Sequence, residues 1–228
     1  MKRGTIFTTL LISIFLISLV SAEIIIIQQP SSLYNLDDTL TIPAIVKSTA
    51  PLSGILNMNL ICNGIEENFY KNGISLTAGE EKLVEASLVL TKEAIQDLKG
   101  SCIIKAFVGG DFTLTNEFKI SNLINIVLKT TQTDFNPEEQ IIIEGEAVKE
   151  NGKPANGFMD LTFLLNSGNS TENKTYQGTV NNGFFSISFS LPKETKAGQY
   201  SLGLNLYEKD SSGNLTNNGF ANYDILVR

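Results

Sequence analysis

The chain has no histidine and no tryptophan, only two cysteines in 228 residues, and arginine only at Arg3 and Arg228. Each absence removes a class of function. Without histidine there is no Ser-His-Asp or Cys-His nucleophile system and no His-ligated metal site. Without clustered arginine and lysine, contacts to phosphate are scarce, so a nucleic-acid partner is excluded from the expectations. The balance is acidic, 17 basic against 24 acidic side chains, a net charge of -7. Apolar residues make up 42% and charged residues 18%, with 6 Pro and 18 Gly, which is a globular rather than a disordered or collagen-like composition. After the first residues no second long apolar run occurs, so no C-terminal membrane span is expected.

What is present begins with an export signal. Lys2 and Arg3 precede the uncharged apolar run Ile6 to Val20, and Val20-Ser21-Ala22 sets small residues at the -3 and -1 positions of a cut before Glu23. Residues 1–22 are therefore read as a signal peptide, with an uncleaved N-terminal anchor as the alternative. The expected location is extracellular or at the cell surface. Contact with a membrane is expected only through such an anchor or a further C-terminal part. Cys62 and Cys102 then fit one disulfide of an oxidising compartment. Both fall on the apolar face of alternating segments, Leu56-Met58-Leu60-Cys62 and Cys102-Ile104-Ala106-Val108. Asn169, Asn173 and Asn214 each open an Asn-x-Ser/Thr glycosylation signal, and all three are placed in loops.

A period of two runs through almost the whole mature chain. Leu40 to Lys47, Ile55 to Cys62, Lys82 to Leu90, Ser101 to Val108 and Phe112 to Ile120 read as strands, with turns at Ala50-Pro51, Asn63-Gly64, Asn72-Gly73, Ala78-Gly79 and Gly109-Gly110. Thr91 caps a short expected helix, Lys92 to Lys99. A second series follows: Ile124 to Thr130, Gln140 to Val148, Phe158 to Leu165, Lys174 to Val180, Phe184 to Leu191, Tyr200 to Glu208 and Gly219 to Val227. Phe185, Ile187 and Phe189 face one way and Ser186, Ser188 and Ser190 the other. Tyr200, Leu202, Leu204 and Leu206 alternate in the same manner. Asn182-Gly183 joins two such strands as a hairpin, because both turn positions need positive φ. The expected fold is all-β: two antiparallel β-sandwiches in tandem, 23–122 and 123–228, after the signal peptide. The joint at Ser121-Asn122 leaves almost no linker, which predicts a stiff pair.

Within 123–228, the succession Phe135-Asn136-Pro137-Glu138-Glu139, Ile143-Glu144-Gly145, Asn151-Gly152-Lys153-Pro154, Gly183-Phe184-Phe185 and Ala197-Gly198-Gln199-Tyr200 resembles the immunoglobulin-like repeats of prokaryotic surface proteins, and most of all the macroglobulin-type sandwich domain. Glu139 is taken to stand where that family's turn has Gly. The first half resembles an immunoglobulin-like sandwich more loosely: Gly100-Ser101-Cys102 aligns with Gly198-Gln199-Tyr200. Cys102 thus occupies the tyrosine position, and the bond with Cys62 is expected between neighbouring strands. No thioester or bait segment is present, so protease trapping is not implied.

Candidate chemistry is sparse. Asp37-Asp38, Glu66-Glu67, Glu80-Glu81 and Glu138-Glu139 are adjacent acids, whose side chains point apart in strands and turns. Glu144 and Glu146 share one strand face. Asp210-Ser211-Ser212-Gly213-Asn214 offers one carboxylate and reads as a hairpin turn rather than a Ca²⁺ loop. Lys129 and Asn222 are the pair to check for an isopeptide staple. Tyr70, Phe69 and Tyr207 are the aromatic candidates for glycan contact. No enzyme, cofactor or metal is expected. The expected role is structural: a spacer or adhesion module whose partners are neighbouring surface-protein domains or extracellular glycans and proteins, with a binding module as the alternative.

Overall fold

The computed structural model describes residues 22–96, 98–167 and 170–228, and the side chains outside 164–172. Of the expected signal peptide only Ala22 is included, and Asn169 falls outside the described residues. The fold is nearly all β. In the first half the strands are Ala22–Ile26 (β1), Leu33–Asn35 (β2), Thr39–Ser48 (β3), Leu52–Cys62 (β4), Ile65–Leu76 (β5), Glu81–Val89 (β6), Gly100–Val108 (β7), Asp111–Leu114 (β8) and Phe118–Ser121 (β9). One short helix, Lys92–Ile95 (α1), lies between β6 and β7; the Thr91 hydroxyl accepts from the Ala94 amide at 3.2 Å. It is half the expected length. The second half holds Ile124–Leu128 (β10), Asp134–Phe135 (β11), Gln140–Lys149 (β12), Gly157–Ser167 (β13), Ser170–Asn181 (β14), Phe184–Ser190 (β15), Gly198–Lys209 (β16) and Leu215–Val227 (β17).

The two halves repeat one topology. In the first, β1, β3 and β6 form one sheet and β2, β9, β7, β4 and β5 the other, with β8 paired to β7. In the second, β10, β12 and β15 run side by side, as do β11, β17, β16, β13 and β14. Strand pairing joins these two groups, among the described residues, only where Val180 and Asn181 pair with Phe185 and Phe184, next to the Asn182-Gly183 turn. In each half the opening segment changes sheets. β1 and β10 pair antiparallel with the first long strand, β3 or β12, whereas β2 and β11 pair in parallel with the last strand, β9 or β17. Each half closes on its own core, one drawn from Ile24 to Ile120 and the other from Ile124 to Val227.

The alternation of the sequence is the alternation of burial. Phe185, Ile187 and Phe189 are buried while Ser186, Ser188 and Ser190 are exposed. Leu202, Leu204 and Leu206 are fully enclosed. Asn182 and Gly183 adopt φ of 49° and 79°, the mirror-image turn that matches strand twist. Gly145 is required by close approach: a Cβ there would stand 2.4 Å from Phe185 Cζ and 2.6 Å from the Val127 carbonyl oxygen. Cys62 and Cys102 are bonded, at directly paired positions of the neighbouring strands β4 and β7, with Cα atoms 4.2 Å apart.

Four readings need correction. Ile65–Leu76 is one strand, and Asn72-Gly73 is no turn but lies inside it. This edge strand is exposed on both faces for most of its length, so no apolar alternation marks it. Phe112 to Ile120 is two strands, β8 and β9, parted after Leu114. Asn173 lies in strand β14 opposite Leu164 rather than in a loop. The left-handed residue of the Asn136–Glu139 turn is Glu138, at φ 66°, not Glu139.

That turn has a twin. In Asn35-Leu36-Asp37-Asp38, Asp37 has φ 69° and the Asp38 carboxylate accepts from the Asn35 amide at 2.8 Å. In Asn136-Pro137-Glu138-Glu139, the Glu139 carboxylate accepts from the Asn136 amide at 2.7 Å. The second acid of each pair clamps its turn, and the first bears the strained conformation. A side chain at positive φ is disfavoured relative to glycine. Glu138→Gly is therefore expected to raise stability by about 0.5–1 kcal/mol, partly offset by the greater freedom of glycine in the unfolded chain, as read by urea denaturation.

Candidate functional site: a buried polar joint

The two halves meet through a buried network of amides and carboxylates. From the first half come the β2–β3 turn, Asn35 to Asp38, and the end of β9, Lys119 and Ser121. From the second come the β12–β13 connection, Lys149 to Lys153, and the last hairpin, Glu208 with Thr216 and Asn217. Asn35 and Asn217 are both completely buried. Asn35 Nδ2 donates to Asn217 Oδ1 at 3.1 Å and to the Leu123 carbonyl at 3.2 Å. Its Oδ1 accepts from the Asn151 amide at 2.9 Å. Asn217 Nδ2 donates to the Leu36 carbonyl at 3.0 Å and to Glu208 Oε2 at 2.8 Å. Each amide thus uses both its donor and its acceptor, which burial demands.

Carboxylates complete the joint. Asp38 accepts from Asn151 Nδ2 and from Lys153 Nζ, each at 2.6 Å, in addition to its own turn amide. Glu208 accepts from the Asn156 amide at 2.7 Å, and Lys149 Nζ lies 3.4 Å away. Glu150 takes Lys119 Nζ at 2.6 Å and the Ser121 hydroxyl. Beside this network Ser31, Ser32, Leu33, Tyr34, Asp38, Glu150, Asn151 and Lys153 line a groove of ≈ 400 Å³. Two carboxylates border the groove, but Asp38 is committed to the joint on both oxygens, and so is Glu150. A carboxylate so engaged is a clamp rather than a proton-transfer group.

Two acids here respond to pH with opposite sign. Partial burial holds the Asp37 carboxyl above its ordinary range; Asp210 and Glu208 push the same way, while Lys149 partly offsets them. Lys119, then Ser121, hold Glu150 below its ordinary range. A raised acid weakens the fold while charged and is relieved as pH falls. A depressed acid supports the fold above the unfolded range, and that support is lost as pH falls through its folded value. At neutral pH Asp37→Asn is therefore expected to raise the melting temperature and Glu150→Gln to lower it. Both effects shrink towards zero below the carboxylate range, as a pH series of melts reads directly.

The remaining sequence candidates scatter. Lys129 pairs with Glu146, and Ser186 Oγ donates to Glu144 at 3.2 Å, all on the outer face of the β10–β12–β15 layer. Asn222 pairs with Gly203 in the other layer, so the structure does not bring Lys129 and Asn222 together. Asp210 Oδ1 accepts from the amides of Ser212 and Asn214 at 2.9 and 2.8 Å, which makes this loop a hydrogen-bonded turn. Asn214 Nδ2 donates to Asp210, and Thr216, the third residue of that glycosylation signal, is buried; Asn173 is exposed. Phe69 and Tyr70 pack against the first core and are not free platforms. Among the described residues the exposed rings are instead Phe112, Phe158, Phe184 and Phe220. Sequence reading missed Asn35, Asn151, Glu208 and Asn217. In an Asn-rich chain nothing local distinguishes a buried asparagine from a turn asparagine.

No protein-family model matches the chain, and no curated protein matches it. Solved structures give partial likenesses. A β-glucosidase from Listeria innocua, determined with gluconolactone, shares 18% identity over 45% of this chain and 16% of its own, at a TM-score of 0.37. An alkylpurine DNA glycosylase from Pseudomonas fluorescens shares 17% over 43% and 30%, at 0.39. The chain thus spans a small part of these proteins, and at such scores neither likeness bears on function.

Proposed function

We propose that the chain is a non-enzymatic module of a secreted or cell-surface protein: two immunoglobulin-like sandwiches, the second of macroglobulin type, held as a stiff spacer that carries adhesive surfaces or neighbouring domains. The observation that carries this reading is the joint. A flexible tether needs exposed, weakly bonded residues. Here the contact buries two asparagines completely and spends Asp38, Glu150 and Glu208 on bonds within it. The shared strand order of the halves supports the immunoglobulin-like assignment, with the opening segment split between sheets. So does Tyr200, whose hydroxyl donates to the Lys196 carbonyl at 2.9 Å at the start of β16, as a tyrosine corner does. The disulfide suits an oxidising compartment. Asn173 is exposed, which suits a glycosylation signal in use.

The test has two parts. Expression with residues 1–22 intact should yield exported protein beginning at Glu23, as intact mass shows. Amide relaxation on that protein should give both halves one rotational correlation time. Retention in the cytoplasm would overturn the export reading, and two distinct correlation times would overturn the spacer.

A further inference from the structure

Each half ties its opening segment to its last strand in parallel. In the first half Leu33, Tyr34 and Asn35 of β2 lie beside Lys119, Ile120 and Ser121 of β9. The Lys119 amide donates to the Ser32 carbonyl at 2.9 Å, and the Leu36 amide to the Ser121 carbonyl at 3.0 Å. In the second half Asp134 and Phe135 of β11 lie beside Leu226 and Val227 of β17. The Leu226 amide donates to the Thr133 carbonyl at 2.7 Å, and the Arg228 amide to the Phe135 carbonyl at 3.0 Å. Side chains brace both contacts. The Tyr34 and Phe118 rings meet edge to face with centroids 5.7 Å apart. The Arg228 guanidinium donates twice to Asp134 Oδ1, at 3.1 and 3.0 Å.

Parallel pairing decides how a pull is met. Tension on the ends of one half acts on the chain before the opening segment and on the chain after the last strand. In parallel strands those two points lie at opposite ends of the contact. The strands must then slide along one another, and every bond between them is loaded at once. Were the same strands antiparallel, the two pulls would meet at one end and the bonds would part in turn. β1 and β10, which come first, add a hold on the other layer through β3 and β12.

The load continues through the joint. Asn35, the last residue of β2, bonds Asn217 near the start of β17, and the Asn218 amide donates to the Asn122 carbonyl at 2.8 Å. The far end of β17 is the part that β11 holds. β17 thus carries the joint at one end and the parallel contact at the other. The disulfide ties β4 to β7, so it leaves the two parallel contacts to bear the first load.

We propose that this protein bears tension: the β2–β9 and β11–β17 contacts are shear clamps, and the joint couples them into one load path. The source of the pull rests on the spacer reading. Joint rigidity is read from distances at rest and the clamps from force, so the two fail separately.

The test is single-molecule pulling of the exported, disulfide-bonded protein with handles at Glu23 and Arg228. Two rupture steps are expected, one for each half. A reductant should lengthen one of them by about 140 Å, since the bond spans a separation of 40 and an extended chain covers about 3.5 Å per residue; that step marks the first half. Moving the first handle to Lys196→Cys, an exposed position just before β16, pulls Gly198 and Val227 apart at one end of an antiparallel pair. The second half should then yield at about half the end-to-end force or less, because its bonds open one after another. Lys119→Pro removes the amide that holds Ser32 and should lower the rupture force of the first half alone. The proposal is overturned if the second half yields at the same force in both pulling directions. It is equally overturned if Lys119→Pro, folded by its amide spectrum, keeps the native rupture force. Should that variant not fold, the comparison of pulling directions decides, since it leaves both clamps unaltered.

Discussion

Replacing Cys62 and Cys102 together by alanine should lower the stability of the first half by about 4 kcal/mol and leave the second half's own transition in place. The bond closes a loop with a sequence separation of 40, and the chain-entropy treatment assigns such a loop about 4 kcal/mol. Nothing else ties β4 to β7 covalently, and both sulfurs sit in the first core, so the alanine pair also removes buried contacts there. The two cores share no residue, so the loss should not spread through packing. Guanidinium denaturation followed by amide signals of each half separates the two transitions. A change below about 1 kcal/mol would mean that the unfolded chain is already compact around this pair.

Asn217→Ala should cost about 3 kcal/mol and uncouple the two halves. The substitution strips the Leu36 carbonyl of a buried donor, takes one of Asn35's amide partners and leaves Glu208 Oε2 to Lys149 alone. Each orphaned buried group costs roughly 1–3 kcal/mol, more where a charge is involved. In the otherwise native protein each half should gain stability from the folded state of the other; in the variant each should melt at a midpoint that the other does not influence. An unchanged unfolding profile would show that water replaces the lost amide at no cost.

How much of this was legible beforehand depends on whether a residue's role is local. Phe184 to Leu191 and Tyr200 to Glu208 announce one buried and one wet face by alternation alone, and the structure keeps that register. Asn182-Gly183 announces its turn because few other pairs tolerate two positive φ values. β5 was invisible, since an edge strand exposed on both faces has no apolar period to read. The acid pairs Asp37-Asp38 and Glu138-Glu139 were visible as pairs, but their use was not. That one acid takes the left-handed conformation and the next clamps the turn follows from hydrogen bonds three residues back. The joint was the least legible part. Asn35 and Asn217 are 182 positions apart, and each looks like any other asparagine until the halves are packed. Tyr207 was a candidate on composition, but its stack with Phe158 follows only from the pairing of β13 with β16.

The central claim is that the joint is rigid, and a distance distribution between the halves measures it most directly. Spin labels at Glu85→Cys on β6 and Lys193→Cys after β15 occupy exposed positions of the two halves, and the native cysteines are spent on their own bond. Electron–electron resonance on the frozen protein should give one narrow distance population, and the same labels in Asn217→Ala should give a broad one. A broad distribution in the otherwise native protein would contradict the account, whatever the stability of either half.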